Sequence, residues 1–229
     1  MIVGERKPFD EIQKQVDGCK RLLVLGCGTC VSVCMAGGEK EVELLATQLR
    51  MANKLANKDV VVDEATIQRQ CDREYIEPIL EKAKGYDAVL SLACGAGVQF
   101  VAEMVEPLTV MPGLNTRFIG VTQAEGTWAE RCRACGDCKL GEFGGICPVA
   151  MCAKGILNGP CGGAQDGKCE TSKERDCAWV MIVKRLTKQG KLGNLVNITP
   201  AKDFSKQSHP ARQVNEAYVK PKAEPAHSH

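Results

Sequence analysis

The stretch RCRACGDCKLGEFGGICPVAMC (131–152) carries five thiols, Cys132, Cys135, Cys138, Cys147 and Cys152; the first three are spaced CxxCxxC and the fourth precedes Pro148. Cys161, Cys169 and Cys177 follow, so eight thiolates, enough for two complete four-ligand sites, lie between 132 and 177. CxxCxxC wraps three corners of a four-iron, four-sulfur cubane, and a later Cys-Pro is equally ferredoxin-like, although the loop from Cys138 to Cys147 is longer than in ferredoxins. Zinc competes for one of the two sites, because four thiolates also make its closed structural form. The paired CxxC knuckles of a zinc ribbon are missing, since Cys152, Cys161, Cys169 and Cys177 are separated by eight, seven and seven residues. Spacing therefore leaves open both the metal and which thiols group together.

A second constellation is CGTCVSVC, with Cys27, Cys30 and Cys34. Three close thiolates and one remote partner commonly hold a four-iron cluster. Cys94 is the expected fourth ligand, with Cys71 and Cys19 behind it, because Cys94 follows a strand that should end at the same sheet edge. A thioredoxin-type CxxC would leave Cys34 without a role. The three histidines, His209, His227 and His229, all fall in the tail. Ligands in the folded body should therefore be thiolates, which favours clusters or all-thiolate zinc over catalytic zinc with an open position.

These thiols need elements to position them. KRLLVLGCG (20–28) is an apolar run closing on glycines, as a buried strand feeding a turn would be, and YDAVLSLACGAG (86–97) repeats that theme. Residues 39–56 place Val42, Leu45, Leu49 and Leu55 near one face of an amphipathic helix, and DVVVD (59–63) predicts the next strand. DREYIEPILEKAKG (72–85) reads as a helix bent at Pro78, and PLTVMPGLN and RFIGVT read as strands. Alternating strands and helices predict an α/β fold with a parallel Rossmann- or flavodoxin-like sheet, whose ligands gather at the carboxyl ends of the strands. The predicted organisation is an α/β domain over 1–128, a small cysteine-rich metal-organised domain over 129–199 and an extended tail over 200–229. From 131 to 178 there are nine glycines and few large apolar side chains, so bound metal is expected to organise that segment; a helix follows and ends near Gly190.

Fourteen cysteines in 229 residues outweigh an aromatic content of 4%. The charged amino terminus does not read as a secretory signal, and no apolar run reaches the ~18 residues of a membrane span, so a cytoplasmic protein with reduced thiols is expected. Residues 1–130 carry 14 Lys/Arg against 19 Asp/Glu, whereas 131–199 carry 11 against 6. The basic cysteine-rich part suits an acidic protein surface; without interleaved aromatics it does not read as a nucleic-acid binder. Phosphate-loop, GxSxG and GxGxxG patterns are absent, so no catalytic residue or substrate site is predicted.

RCRACGDCKLGEFGGICPVAMCAKGILNGPCGG, followed by GKCE and DCAW, resembles the carboxy-terminal cysteine-rich domain associated with methylenetetrahydrofolate reductases. Together with LGCGTCVSVCMAGGEKEVELL, the chain over roughly 15–195 is similar to the MetV-type small subunits of two-subunit reductases from acetogenic and related anaerobic bacteria. The resemblance implies a role in one-carbon metabolism of the Wood–Ljungdahl type, beside a partner (β/α)8-barrel subunit that carries flavin mononucleotide (FMN) and reduces methylenetetrahydrofolate to methyltetrahydrofolate. It implies a scaffolding subunit that passes electrons to that FMN through two or three four-iron clusters, with zinc in place of one cluster as the variant. Ferredoxin or another electron-donating subunit would supply Cys27, Cys30, Cys34 and Cys94, and Cys132 to Cys177 would hold the centres nearer the flavin. A purely structural zinc subunit, or an adaptor of a hydrogenase or heterodisulfide reductase, are the competing readings.

Overall fold

A computed structural model describes residues 1–207 and 209–218. His227 and His229, and with them the end of the expected tail, lie outside the described residues. The chain forms two compact units, Met1–Arg133 with Cys147–Gly155, and Ala134–Ile146 with the chain from Ile156 onward.

The first unit is built on a four-stranded parallel sheet. Its strands are β2 (Arg21–Cys27), β3 (Val61–Ile67), β4 (Ala88–Leu92) and β5 (Thr109–Pro112), in the order β3-β2-β4-β5. Numbered among themselves the parallel strands run 2-1-3-4, the flavodoxin-like order, in which the chain direction switches between the first and third strands. Here that point lies between the carboxyl ends of β2 and β4. Alternation along β2 builds both layers. Leu22 and Val24 enter the core under helices α1 (Phe9–Gln15) and α3 (Glu39–Leu55), while Leu23 and Leu25 pack with Ile76 and Val101 on the opposite face. All four leucine and valine side chains are essentially unexposed, each worth ~1.5–3 kcal/mol of burial.

In α3, Val42, Leu45 and Leu49 are buried as expected, but Leu55 is 83% exposed. At 100° per residue it stands about a third of a turn away from the stripe the other three define. The segment after β3 is helical only in pieces, α4 (Arg73–Ile76) and α5 (Leu80–Ala83), separated by a 3-10 turn at Glu77–Ile79 where Pro78 removes an amide donor. Helix α6 (Gly95–Val105) connects β4 to β5. A three-stranded antiparallel sheet was not foreseen: β1 (Ile2–Arg6) pairs with β6 (Leu114–Ala124), which pairs with β7 (Thr127–Cys132). The partner of Ile2 is Ile119, and pairing over such a sequence distance leaves no local signature. Helix α2 (Cys30–Val33), one turn long, and α7 (Pro148–Met151) complete the unit.

The second unit holds a hairpin of β8 (Lys168–Cys169) and β9 (Ser172–Asp176), followed by α8 (Ala178–Lys188). The cysteine-rich segment does have an apolar centre, contrary to its sparse composition, because α8 supplies one. Phe143 stands edge-on to Trp179 at 5.6 Å, Trp179 Nε1 donates to Ile156 O at 2.9 Å, and Ile182 and Leu186 are fully buried. Among the described residues no helix is long and apolar enough to cross a membrane.

Candidate metal centre

Strand β2 ends at Cys27, whose amide donates to Gly37 O at 2.9 Å, while the Gly28 amide donates to Ile67 O at 2.9 Å and carries the β2–β3 pairing one residue further. The returning chain passes so close that a Cβ on Gly26 would lie 2.6 Å from both Thr66 Oγ1 and Val42 Cγ2. Glycine is the residue that permits this approach. The Cys27 sulfur is buried near Thr29 Oγ1 (3.7 Å) and Gln68 O (3.9 Å). Cys30 opens α2 and is half-buried. Cys94, two residues past β4, is the N-cap of α6 and is also half-buried; its neighbour Gly95 donates its amide to Thr116 Oγ1 at 2.8 Å.

Cys71 follows β3 on the same edge. The residue is exposed, yet its thiol is pushed above the ordinary range, first by partial desolvation and then by the charges of Cys94 and Cys27, with Cys30 contributing less. Cys71 thus lies within electrostatic reach of the thiols of Cys94, Cys27 and Cys30. Cys34 is enclosed by backbone groups of β1 and α2. Its sulfur accepts from the Gly4 amide at 3.4 Å and lies 3.5 and 3.6 Å from the carbonyls of Val31 and Gly4, and burial is the main cause pushing its thiol up. Cys19 precedes β2 and so stands at the other end of the strand, roughly 20 Å away at ~3.3 Å per residue.

The eight later thiols divide between the units. In the first, Cys132 ends β7, and Cys147 and Cys152 cap the two ends of α7. In the second, Cys138 and Cys161 are exposed, Cys169 lies 3.2 Å from Thr171 Oγ1, and Cys177 is the buried N-cap of α8 with its amide on Gly167 O at 2.8 Å. Cys135 has an unforeseen neighbour in Lys202, a nearly buried lysine whose Nζ donates to Asp137 O and whose hydrogen bond to the thiol pulls Cys135 below the usual thiol range. Nothing in the polar run around Lys202 marks it as buried.

Among the described residues no three His, Cys, Asp or Glu side chains converge to hold a metal ion. A single zinc would require sulfurs about 3.8 Å apart, given Zn–S bonds of ~2.3 Å. A cubane spreads its four thiolates farther than that. The donor set at the sheet edge, thiols with hydroxyls and glycine amides around them, suits such a cluster chemically.

The comparison with protein families falls on the other part of the chain. Residues 111–205 match the family model described as methylene-tetrahydrofolate reductase C terminal, a span that includes all eight thiols from Cys132 to Cys177 and none of those at the sheet edge. Neither the curated proteins nor the solved structures yield a match. Over residues 111–205, less than half of its length, the chain is similar to the carboxy-terminal region of methylene-tetrahydrofolate reductase.

Proposed function

We propose that this chain is a non-catalytic electron-transfer and scaffolding subunit of a methylenetetrahydrofolate reductase, serving the FMN of a separate (β/α)8-barrel subunit that reduces methylenetetrahydrofolate to methyltetrahydrofolate. The relation over residues 111–205 supports the choice of reductase. The observation that carries the electron-transfer reading is the gathering of Cys27, Cys30 and Cys94 at the carboxyl ends of β2 and β4, the crevice where flavodoxin-like sheets bind their ligands.

A four-iron cluster held by those thiolates would take up and release single electrons. The chain's own residues prepare the position. Val31, Leu92 and Ala93 are buried beside the thiols and keep water from one side, while half-exposed Cys30 and Cys94 keep the other side near the surface, within reach of ferredoxin or another donor. The later eight thiols are assigned to one or two further centres nearer the flavin, with zinc in place of one cluster as the structural variant. The excess of Lys and Arg over 131–199 suits docking on an acidic face of the barrel subunit.

The test is anaerobic reconstitution. With reduced ferredoxin as donor, bleaching of the barrel subunit's flavin absorbance should require this chain and should slow at least tenfold with its Cys27→Ser variant. Flavin reduction at the same rate without the chain would overturn the reading.

A further inference from the structure

The motif CxxCxxxC nominates Cys34 as a ligand, but the fold gives Cys34 and Cys71 opposite roles. Gln70 is fully buried, its Nε2 donating to Leu25 O at 2.9 Å and its Oε1 accepting from Ser91 Oγ at 2.6 Å. Leu25 and Ser91 are directly paired partners on β2 and β4. The Gln70 side chain is therefore fastened across the two strands whose ends carry Cys27 and Cys94. The first turn of α6 closes over it, since a Cβ on Gly97 would lie 3.0 Å from Gln70 Cβ and 2.9 Å from Ala93 Cβ. A buried amide with both ends satisfied fixes its backbone, and the next residue in the chain is Cys71.

Cys34 is held just as firmly, but by contacts to β1 and to its own turn. It is 5% exposed within the core formed with Val3, Val31 and Leu114, and its sulfur faces the amide and carbonyl of Gly4. As a thiolate, the form that ligates metal, it would confront two carbonyl oxygens and lose its own donated hydrogen bond. Its present contacts are those of a neutral thiol fastening β1 to the turn after α2.

We infer that Cys71, positioned by the buried Gln70, and not Cys34, completes the thiolate set of Cys27, Cys30 and Cys94. The inference rests on the iron–sulfur reading of this edge. Its test uses the full chain purified without oxygen, with iron and acid-labile sulfide determined per chain and the reduced protein examined by electron paramagnetic resonance. Cys27→Ser tests the reading itself: iron unchanged in that variant would mean that the edge holds no cluster. Given a loss of about four irons with Cys27→Ser, the same loss is expected with Cys71→Ala. Cys34→Ser and Cys34→Ala should keep wild-type iron, sulfide and resonance spectrum while melting at lower temperature; the pair guards against one of them failing to fold. Gln70→Leu, which cannot hold Ser91, should alter the resonance spectrum or lower the iron at the edge in a protein that stays folded by circular dichroism. Full iron in Cys71→Ala, or loss of about four irons in a folded Cys34 variant, overturns the assignment.

Discussion

Ser91 Oγ donates to Gln70 Oε1 at 2.6 Å with both side chains wholly buried, and that bond ties the loop bearing Cys71 to the strand that precedes Cys94. Removing the hydroxyl leaves the amide oxygen of Gln70 in an apolar interior without a donor. Ser91→Ala should cost about 1–3 kcal/mol of stability, measured by urea denaturation. A variant as stable as the wild type would mean that Gln70 is not held by this bond.

Gly26 is the second pressure point of the edge. With a Cβ there at 2.6 Å from Thr66 Oγ1 and Val42 Cγ2, Gly26→Ala should destabilise the first unit by about 1–3 kcal/mol through overpacking. The midpoint of chemical unfolding reports this, and an unchanged midpoint would contradict the close packing of α3 on the end of β2.

At the opposite end of the sheet, the Asp87 carboxylate accepts the amides of Arg21 and Lys20 at 2.8 and 2.7 Å, and those hydrogen bonds lower its pKa from an ordinary value of 3.8. Because the folded value is the lower one, its stabilisation is present above about pH 4 and is lost as pH falls through the folded pKa. Asp87→Asn should lower stability at pH 7 and flatten its acid dependence below pH 4, both read from denaturation midpoints across that range. A variant with the wild-type acid profile would remove Asp87 from the account.

Much of this edge is legible in the sequence, and the reasons for the rest are local. The runs ending in Cys27 and Cys94 are readable because central parallel strands are continuously apolar and glycines mark their turns. Val42, Leu45 and Leu49 declare α3 by their period. The packing of Cys34 against Gly4 is hidden because β1 is a short strand whose partner lies more than a hundred residues away. Gln70 and Lys202 sit in polar runs, and burial of a polar side chain comes from packing that no local pattern encodes. The grouping of the later thiols is unreadable for a different reason: their unequal spacings carry no period.

The carboxy-terminal segment presents Phe204, Val214 and Tyr218 to solvent, 66%, 53% and 84% exposed, among basic residues. Phe204 and Tyr218 lie in short 3-10 turns rather than in an extended arm, and apolar side chains so exposed suit a surface that a partner covers. Ending the chain after Pro210 removes Val214 and Tyr218 while keeping Lys202, the β8–β9 hairpin and α8. This truncation should weaken binding to the barrel subunit at least tenfold without changing metal content. Equal affinity in a binding titration would free the segment of any docking role.

The central claim is that the thiols of this chain carry electrons, and the most direct measurement is the iron, acid-labile sulfide and zinc content per chain of the protein purified without oxygen. The account predicts about eight to twelve irons with matching sulfide, or four to eight irons with one zinc if a later site is structural. Zinc alone, in a colourless protein without sulfide, would contradict it and leave a scaffold.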